Sequence, residues 1–321
     1  MILKKLRGYV GDFREFNRER KQLINSSVIG KKDRIISRIV RFVHSIEKGL
    51  SIDNPRPEFG YEKILTLYNY INEYLKIDNI DKSCIYMAAD ALEAYCNYHS
   101  ALNLTSPKLE HIKNITAELS KIKKDDGIDG TFGGVLTIQK SDMKFDFACV
   151  EKLFKTRHSI RQFKKEELSE ETIKKAIELA QTAPSACNRQ AVRAYAIDSK
   201  KFIENYTENL QGVGGFADDC DKFILITGKI SAYEEPEYKQ FIVSAGIFVG
   251  YLTLALHGLG LGACVVQRSL RPNDSWIQFC MDNDIPLDEQ LICLVAVGNL
   301  NDEMTVPLSK RFDVNTIFRT L

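Results

Sequence analysis

The sequence predicts a helical N-terminal region followed by a mixed α/β or α+β domain built on a mostly buried sheet. Two patterns point to it. Up to about residue 125, apolar residues recur three and four positions apart, the spacing of amphipathic helices. After residue 145, helical stretches alternate with short runs rich in β-branched and apolar residues, the mark of buried strands. A chain of 321 residues is also longer than one average domain. We therefore divide it into residues 1–145, a helical extension, and residues 146–321, the mixed domain.

In the first part, Arg34 to Ile46 places Ile35, Ile36, Ile39, Val40, Val43 and Ile46 on one stripe, with Arg38 and Arg41 opposite. Residues 61–76 repeat the pattern through Ile64, Leu65, Tyr68, Ile71 and Leu75. Further helices are expected over 83–101 and 107–122, the second opened by Pro107, whose fixed φ and missing N–H suit a first turn. Short polar connections make these helices packed neighbours, and the polar, Gly-rich stretch 123–134 reads as a loop. In the second part, Ser169 caps a helix over 169–182, with Glu170 and Glu171 at its positive end and Ile173, Ala176, Ile177 and Ala180 on its apolar face. Strands are expected at 192–197, 222–228, 261–267 and 291–298, and a helix from Pro272 through Met281. Ile242 to Val266 holds no charged residue over 25 positions, long enough to cross a bilayer. Gly258, Gly260 and Gly262 interrupt it, so it reads as a buried helix, a Gly turn and a buried strand.

Apolar residues at 44% and charged residues at 27% exclude a largely disordered chain. The net charge of +1 argues against a uniformly basic nucleic-acid binder, but the charge is uneven. Residues 1–50 hold thirteen Lys/Arg against five Asp/Glu, a net of +8, and the rest carries −7. Eight scattered cysteines without a CxxC pair suit reduced thiols in a cytoplasmic protein better than disulfides or a zinc site. The opening MILKKLRGYVGDF lacks the apolar core and cleavage site of a signal peptide.

Arg157-His158-Ser159-Ile160-Arg161 gathers two guanidiniums, an imidazole and a hydroxyl. Arginine forks match phosphate oxygens, so an anion site follows; a solvated basic turn is the alternative. Lys310-Arg311 is a second cationic pair that could join the first on one phosphate. Pro184 to Gln190 closes the helix 169–182, and Asn188 and Gln190 each carry a paired donor and acceptor able to read the edge of a flat heterocycle. In isolation, that segment is a polar turn. Gly258-x-Gly260-x-x-Ala263 has half the spacing of a dinucleotide fingerprint, but it follows a helix and precedes a strand, the reverse of the required order, and is rejected. Cys187 and Cys264 read as small buried residues. His44, Glu47 and Lys48 share a helix face and read as a solvated edge or an ion pair docking the helical region. No side chain stands out as catalytic or as a metal ligand.

Taken in order, TRHSIRQF (156–163), APSACNRQ (183–190), LHGLGLGACVV (256–266), LVAVGNL (294–300) and VPLSKR (306–311) resemble the nitroreductase family of flavin oxidoreductases over about residues 148–321. The resemblance implies an α+β fold with a three-layer core, a mostly antiparallel sheet and a long dimer-interface helix, here preceded by an all-helical region. It implies FMN at a homodimer interface, NAD(P)H as reductant, and ping-pong reduction of a small-molecule acceptor in a bacterial cytoplasm. By the same resemblance, Arg157, His158 and Ser159 hold the phosphate and ribityl end, Arg161 lies near the flavin N1/O2 side, and Asn188 bonds the pyrimidine edge. Pro184 and Ser185 approach the flavin of the partner, Arg311 contacts the phosphate with Lys310 beside it, and Gln267 and Arg268 present backbone N–H groups toward N5 and O4.

This chain departs from the family in Ala191-Val192, where Pro-Trp is frequent, and in Arg268, where Gly is frequent. Both changes bear on which acceptors fit. A substrate-specific flavin dehydrogenase or dehalogenase, or a flavin-binding scaffold or regulatory protein, are the alternatives. For the basic N-terminus the expectation is a helical cap docked on the acidic remainder, limiting access to the flavin. An anionic membrane surface met through Lys4, Lys5, Arg7, Arg14, Arg18, Arg20 and Lys21 is the competing partner.

Overall fold

A computed structural model of the chain describes residues 2–24, 30–206, 213, 215–267 and 274–321. Five helices come first: α1 (Ile2–Ile24), α2 (Lys31–Leu50), α3 (Tyr61–Tyr74), α4 (Ser83–Ala101) and α5 (Pro107–Asp125). The stripe on α2 meets matching stripes on α3, α4 and α5 in a core of its own, in which Ile39, Val43, Ile64, Ile71, Leu92 and Tyr95 are buried. Pro107 stands at the start of α5, where Ser106 accepts a hydrogen bond from the Leu109 N–H, so cap and first turn agree. The stretch after α5 folds back on the bundle. Phe132 N–H donates to Asp90 at 2.6 Å, Lys123 bridges Asp90 and the Gly130 carbonyl, and Gly134 N–H donates to Glu47 at 3.0 Å. Glu47 thus anchors this strap rather than a contact to the core domain. Burial pushes its carboxyl above the usual range, partly offset by the Gly134 N–H.

The rest of the chain runs α6 (Phe147–Thr156), β1 (Phe163–Lys164), α7 (Glu170–Gln181), β2 (Val192–Asp198), α8 (Ser199–Tyr206), β3 (Lys222–Lys229), α9 (Gln240–Gly258), β4 (Leu261–Gln267), α10 (Asp274–Asp282) and β5 (Glu289–Leu300). The four expected strands are present, and β1 adds two residues at the end of β5. The sheet is antiparallel in the order β2-β3-β5-β4, with β5 paired along one side to β3 and along the other to β4. Its strands alternate by the two-residue period. Ile224, Ile226, Val295 and Val297 face α7 and α9, whereas Phe223, Leu225, Leu294 and Ala296 face Phe202 of α8 and Trp276 and Phe279 of α10. Helices on both faces of one sheet make the expected three layers. Pro272 lies outside the described residues, and the helix after it begins at Asp274.

Helix α9 is long and apolar enough to cross a membrane by length and composition. Phe241, Ala245, Phe248, Leu252 and Leu256 are buried against the sheet and α7. Val243, Gly246, Ile247, Gly250 and Tyr251, on the opposite side, are exposed in the single protomer.

The helix α1 was not anticipated, because its apolar residues are sparse. Polar contacts hold it and α2 to the core. Lys239 bonds Glu19 at 2.6 Å, Arg18 bonds Gln290, and Gln22 donates to the Leu287 carbonyl. From α2, Asp33 pairs with Lys229 at 2.7 Å, Ser37 donates to the Ala232 carbonyl, and Arg38 and Arg41 share Glu234 at 3.1 and 2.8 Å. Of these pairs, Arg38 and Arg41 with Glu234 have the polarity expected of a basic N-terminus on an acidic remainder, whereas Glu19 with Lys239 and Asp33 with Lys229 have the reverse. The side chains of Lys4, Lys5 and Arg7 lie outside the described ones.

Burial alone would raise the Glu234 carboxyl, but Arg41 and Arg38 outweigh it and hold the group below its ordinary 4.5. A carboxyl depressed in the folded state stabilises above its unfolded pKa, and that contribution is lost as pH falls through the lower folded value. Glu234→Gln should therefore cost about 1 kcal/mol at pH 7. The gap from wild type in urea unfolding should close as the pH falls through the depressed folded-state value of the carboxyl. A gap that stays constant over that range would show that the two arginines do not stabilise the carboxylate.

Candidate functional site

A cavity of about 450 Å³ opens at the C-terminal end of α9, lined by Arg157, His158, Ser159 and Arg161 together with Lys310 and Arg311. Local structure explains how these distant residues meet. α6 ends at Thr156, whose hydroxyl lies 2.8 Å from Nε2 of His257 in the last turn of α9. The chain then joins the sheet. Ile160 N–H donates to the Ala263 carbonyl at 3.0 Å, and Ser159 forms a parallel bridge to Ala263. Two glycines permit this approach. A Cβ on Gly262 would sit 3.0 Å from Ile160, and one on Gly298 would sit 2.8 Å from the ring of Phe163. Beyond β5 the tail returns across the same edge, where Thr305 N–H donates to the Gln162 side chain at 2.8 Å, and so brings in Lys310 and Arg311.

Among the described residues no carboxylate lines this cavity, and Lys155 adds a second ammonium to its cations. The field is visible in its neighbours. His257 is held below its ordinary 6.5 by burial first, then by Arg157 and His158. Burial raises the Cys264 thiol, and Arg161 and Arg157 oppose that rise. An array of convergent cations with a hydroxyl and an imidazole among them is suited to a polyanionic group such as a phosphate.

The segment 183–190 lies at the other end of α9. Ser185 Oγ accepts from the Gln190 N–H at 3.1 Å, the Asn188 N–H donates to the Ser185 carbonyl, and Ala186 N–H reaches Ser244 Oγ at 3.5 Å. Cys187, Asn188 and Gln190 all have positive φ, at 53°, 53° and 51°, a costly conformation for non-glycine residues. Cys187 is half-buried in this turn rather than buried in a core, whereas Cys264 is buried as expected. Arg189 holds the loop from beneath. It is buried, pairs with both oxygens of Glu237 at 2.8 and 2.7 Å, and lies over the ring of Tyr233. Nothing in the spacing of the sequence distinguished this arginine from its exposed neighbours.

Pro184, Ser185 and Gln190 line a second cavity, of about 530 Å³, whose opposite wall comes from the N-terminal helices through Ile36, Val40, Ser83 and Met87. Sequence reasoning gave no sign of these four as site residues. At a helical rise of about 1.5 Å per residue, Ser244 beside one cavity and His257 beside the other are about 20 Å apart along α9. The structure thus unites residues 157–161 with 310–311, and it sets Pro184, Ser185 and Asn188 apart from them within one protomer. Gln267 is the last residue of β4, and Arg268 lies outside the described residues.

Comparison with known proteins adds the lineage. No curated protein matches the chain. Solved structures share about half of it. An FMN-dependent nitroreductase from Clostridium difficile R20291 is 23% identical and aligns over 53% of this chain and 99% of its own, with a TM-score of 0.45. A nitroreductase family protein from Streptococcus pneumoniae TIGR4 is 18% identical over 54% and 100%, with a TM-score of 0.44. The nitroreductase CinD from Lactococcus lactis, in complex with nicotinic acid, is 17% identical over 54% and 99%, with a TM-score of 0.45. The nitroreductase family profile matches residues 154–214 and 214–299, which take in the sheet, α7, α9 and the segment 157–161. Residues 154–299 thus match the nitroreductase family, and the chain carries a helical region on the N-terminal side of that match.

Proposed function

We propose that the protein is an FMN-dependent oxidoreductase of nitroreductase type that uses NAD(P)H to reduce a small-molecule acceptor by a ping-pong route. The observation that carries this reading is the meeting of residues 157–161 with Lys310 and Arg311 in one cavity with no carboxylate among its described lining residues. Two clusters about 150 residues apart in sequence converge there, as a phosphate-bearing cofactor requires. FMN, when bound, supplies the redox chemistry; the protein binds, orients and tunes it. In this reading Arg157, Lys310 and Arg311 neutralise the phosphate, and Ser159 and His158 donate to it or to the ribityl chain. Arg161 is the fixed cation toward the flavin ring, where it favours added negative charge. The end of β4 at Gln267, followed by Arg268, borders the reacting edge. Asn188, with Pro184 and Ser185, reads the ring from a second protomer.

That second protomer is part of the proposal. The 183–190 loop is too far along α9 to serve the cationic cavity of its own chain. The protomer also leaves large apolar surfaces in water, as the stripe on α9 shows and as Leu308, Phe312 and Ile317 of the tail, 89%, 91% and 87% exposed, repeat. A homodimer joined along α9 would cover the stripe and bring loop and cavity together. We take the boundary between the helical extension and the flavin domain to lie near residue 145, in the exposed segment before α6. Eight unpaired cysteines fit a reducing cytoplasm.

Purified protein should be yellow with non-covalent FMN, and Arg157→Ala should weaken FMN binding by about 1.5–3 kcal/mol, read by fluorescence titration of apoprotein. Release of FAD instead, or an unchanged affinity in the variant, would remove the phosphate assignment. Light scattering should find a dimer. Ile247→Glu, on the exposed stripe, should yield monomers with native circular dichroism and at least about tenfold weaker FMN binding, because each site loses the loop of its partner. A flavin-loaded wild-type monomer would contradict the shared site.

A further inference from the structure

The charged residues of α1 are sorted between its two sides. Its acids, Asp12, Glu15 and Glu19, are spaced three and four apart and so share one face. That face is the one turned to the body. Glu19 is buried on Lys239, and Glu15 pairs at 2.7 Å with Arg18, which in turn bonds Gln290. Tyr9, Val10, Phe13 and Phe16 recur at helical spacing on the other side, where Tyr9 and Phe13 are 71% and 66% exposed. Arg14 and Lys21, seven residues apart and therefore on one face beside this stripe, are exposed as well. The helix thus docks through its acids and turns an apolar strip edged with cations to the outside.

We propose that α1 is an interfacial anchor that lays Tyr9, Val10 and Phe13 into the headgroup region of an anionic membrane, with Arg14 and Lys21 on the lipid phosphates. The anchor uses no residue of either cavity, so it stands independently of the flavin reading.

Charge selects the bilayer over a second copy of the chain. Two such helices paired stripe to stripe would bring the Arg14 and Lys21 of one toward those of the other, while the acids of both lie on the opposite faces. An anionic lipid surface meets the same cations with opposite charge. The stripe is about two turns long, which is short for a helix pair but suits a surface helix whose binding adds electrostatic attraction to a modest apolar area. Its residue types agree, because tyrosine gathers at the boundary between lipid and water. The sequence before the stripe continues the bias: residues 2–14 hold Lys4, Lys5, Arg7 and Arg14 against Asp12 alone. The strip also runs onto the body, where the Phe16 ring meets Tyr238 edge-on at 6.1 Å and both rings are partly exposed. The helix can therefore lie on a membrane without leaving its seat.

The full-length protein can be sedimented with vesicles of phosphatidylglycerol or of phosphatidylcholine. Binding should be at least about tenfold tighter to the anionic vesicles and should fall as salt is added. Phe13→Glu, and separately Arg14→Glu combined with Lys21→Glu, should each weaken it at least about tenfold, with unchanged thermal unfolding and oligomeric state. Phe13→Leu, which keeps an apolar group, should bind as the wild type does. Phe13→Trp puts a reporter on the stripe. Its emission should shift to the blue on anionic vesicles and be quenched by brominated lipid, whereas Trp276, the one tryptophan of the chain and buried, should not respond in the wild type. Equal affinity for both lipids, undiminished binding in the Glu variants, or a reporter that brominated lipid leaves untouched would overturn the anchor. A wild type that ignores vesicles, with a change of mass in light scattering for Phe13→Glu, would overturn it too and give the stripe to a second copy of the chain.

Discussion

A helix that is apolar on every side has no face to give to water, and α9 imposes that constraint on the whole domain. Its inner side is met by β3, β5 and α7, so the sheet must be extended and flat enough to receive Phe248, Leu252 and Leu256 together. Its ends then fix two places in space. The last turn, through His257, receives Thr156 and the basic segment that follows; the first, through Ser244, receives the 183–190 loop. Small residues along the outer side leave room for close approach, since a Cβ on Gly246 or Gly250 would meet nothing within 4 Å in the protomer. Both candidate sites are therefore consequences of where one apolar rod begins and ends.

The helical region is attached by a different kind of force. Its core is self-contained; at the junction Leu23 joins the small apolar cluster with Ala191, Ile230, Tyr233 and Phe241, and Phe16 meets the Tyr238 ring edge-on at 6.1 Å. Beyond that, docking is polar and specific. Glu19, with a side chain 3% exposed, is matched by Lys239, and Asp33 of α2 is matched by Lys229. Buried charges of this kind add little net stability, yet removal of one partner is costly, so they define one orientation of the helices more than they strengthen it. That orientation is what closes the larger cavity.

In the cationic cavity the balance is reversed. Like charges are gathered there, and the His257 imidazole, lowered first by burial, is lowered further by Arg157 and His158. The loop at the opposite end stores strain in its backbone, with three consecutive-neighbourhood residues held at positive φ by Ser185, Ser244 and Arg189. Uncompensated charge and uncompensated conformation both mark places where folding stability has been given up for another requirement.

Much of this was legible in the residues. The strands at 192–197, 222–228, 261–267 and 291–298 and the helix over 169–182 were readable because their periodicity or β-branched content agrees with their burial. The basic segment 157–161 was legible as a cluster of positive charge, but a solvated basic turn has the same composition. α1 was missed for the converse reason: its apolar residues are sparse, and its seat depends on Gln290, Leu287 and Lys239, more than 200 residues away in the chain. Local pattern determined which segments would be helix or strand and which gathered positive charge. Only the tertiary structure decided that 157–161 meets 310–311, that 183–190 lies a helix length away, and that α2 and α4 wall its cavity, because those relations follow from how α9 and the sheet pack and no short stretch of sequence encodes a distance.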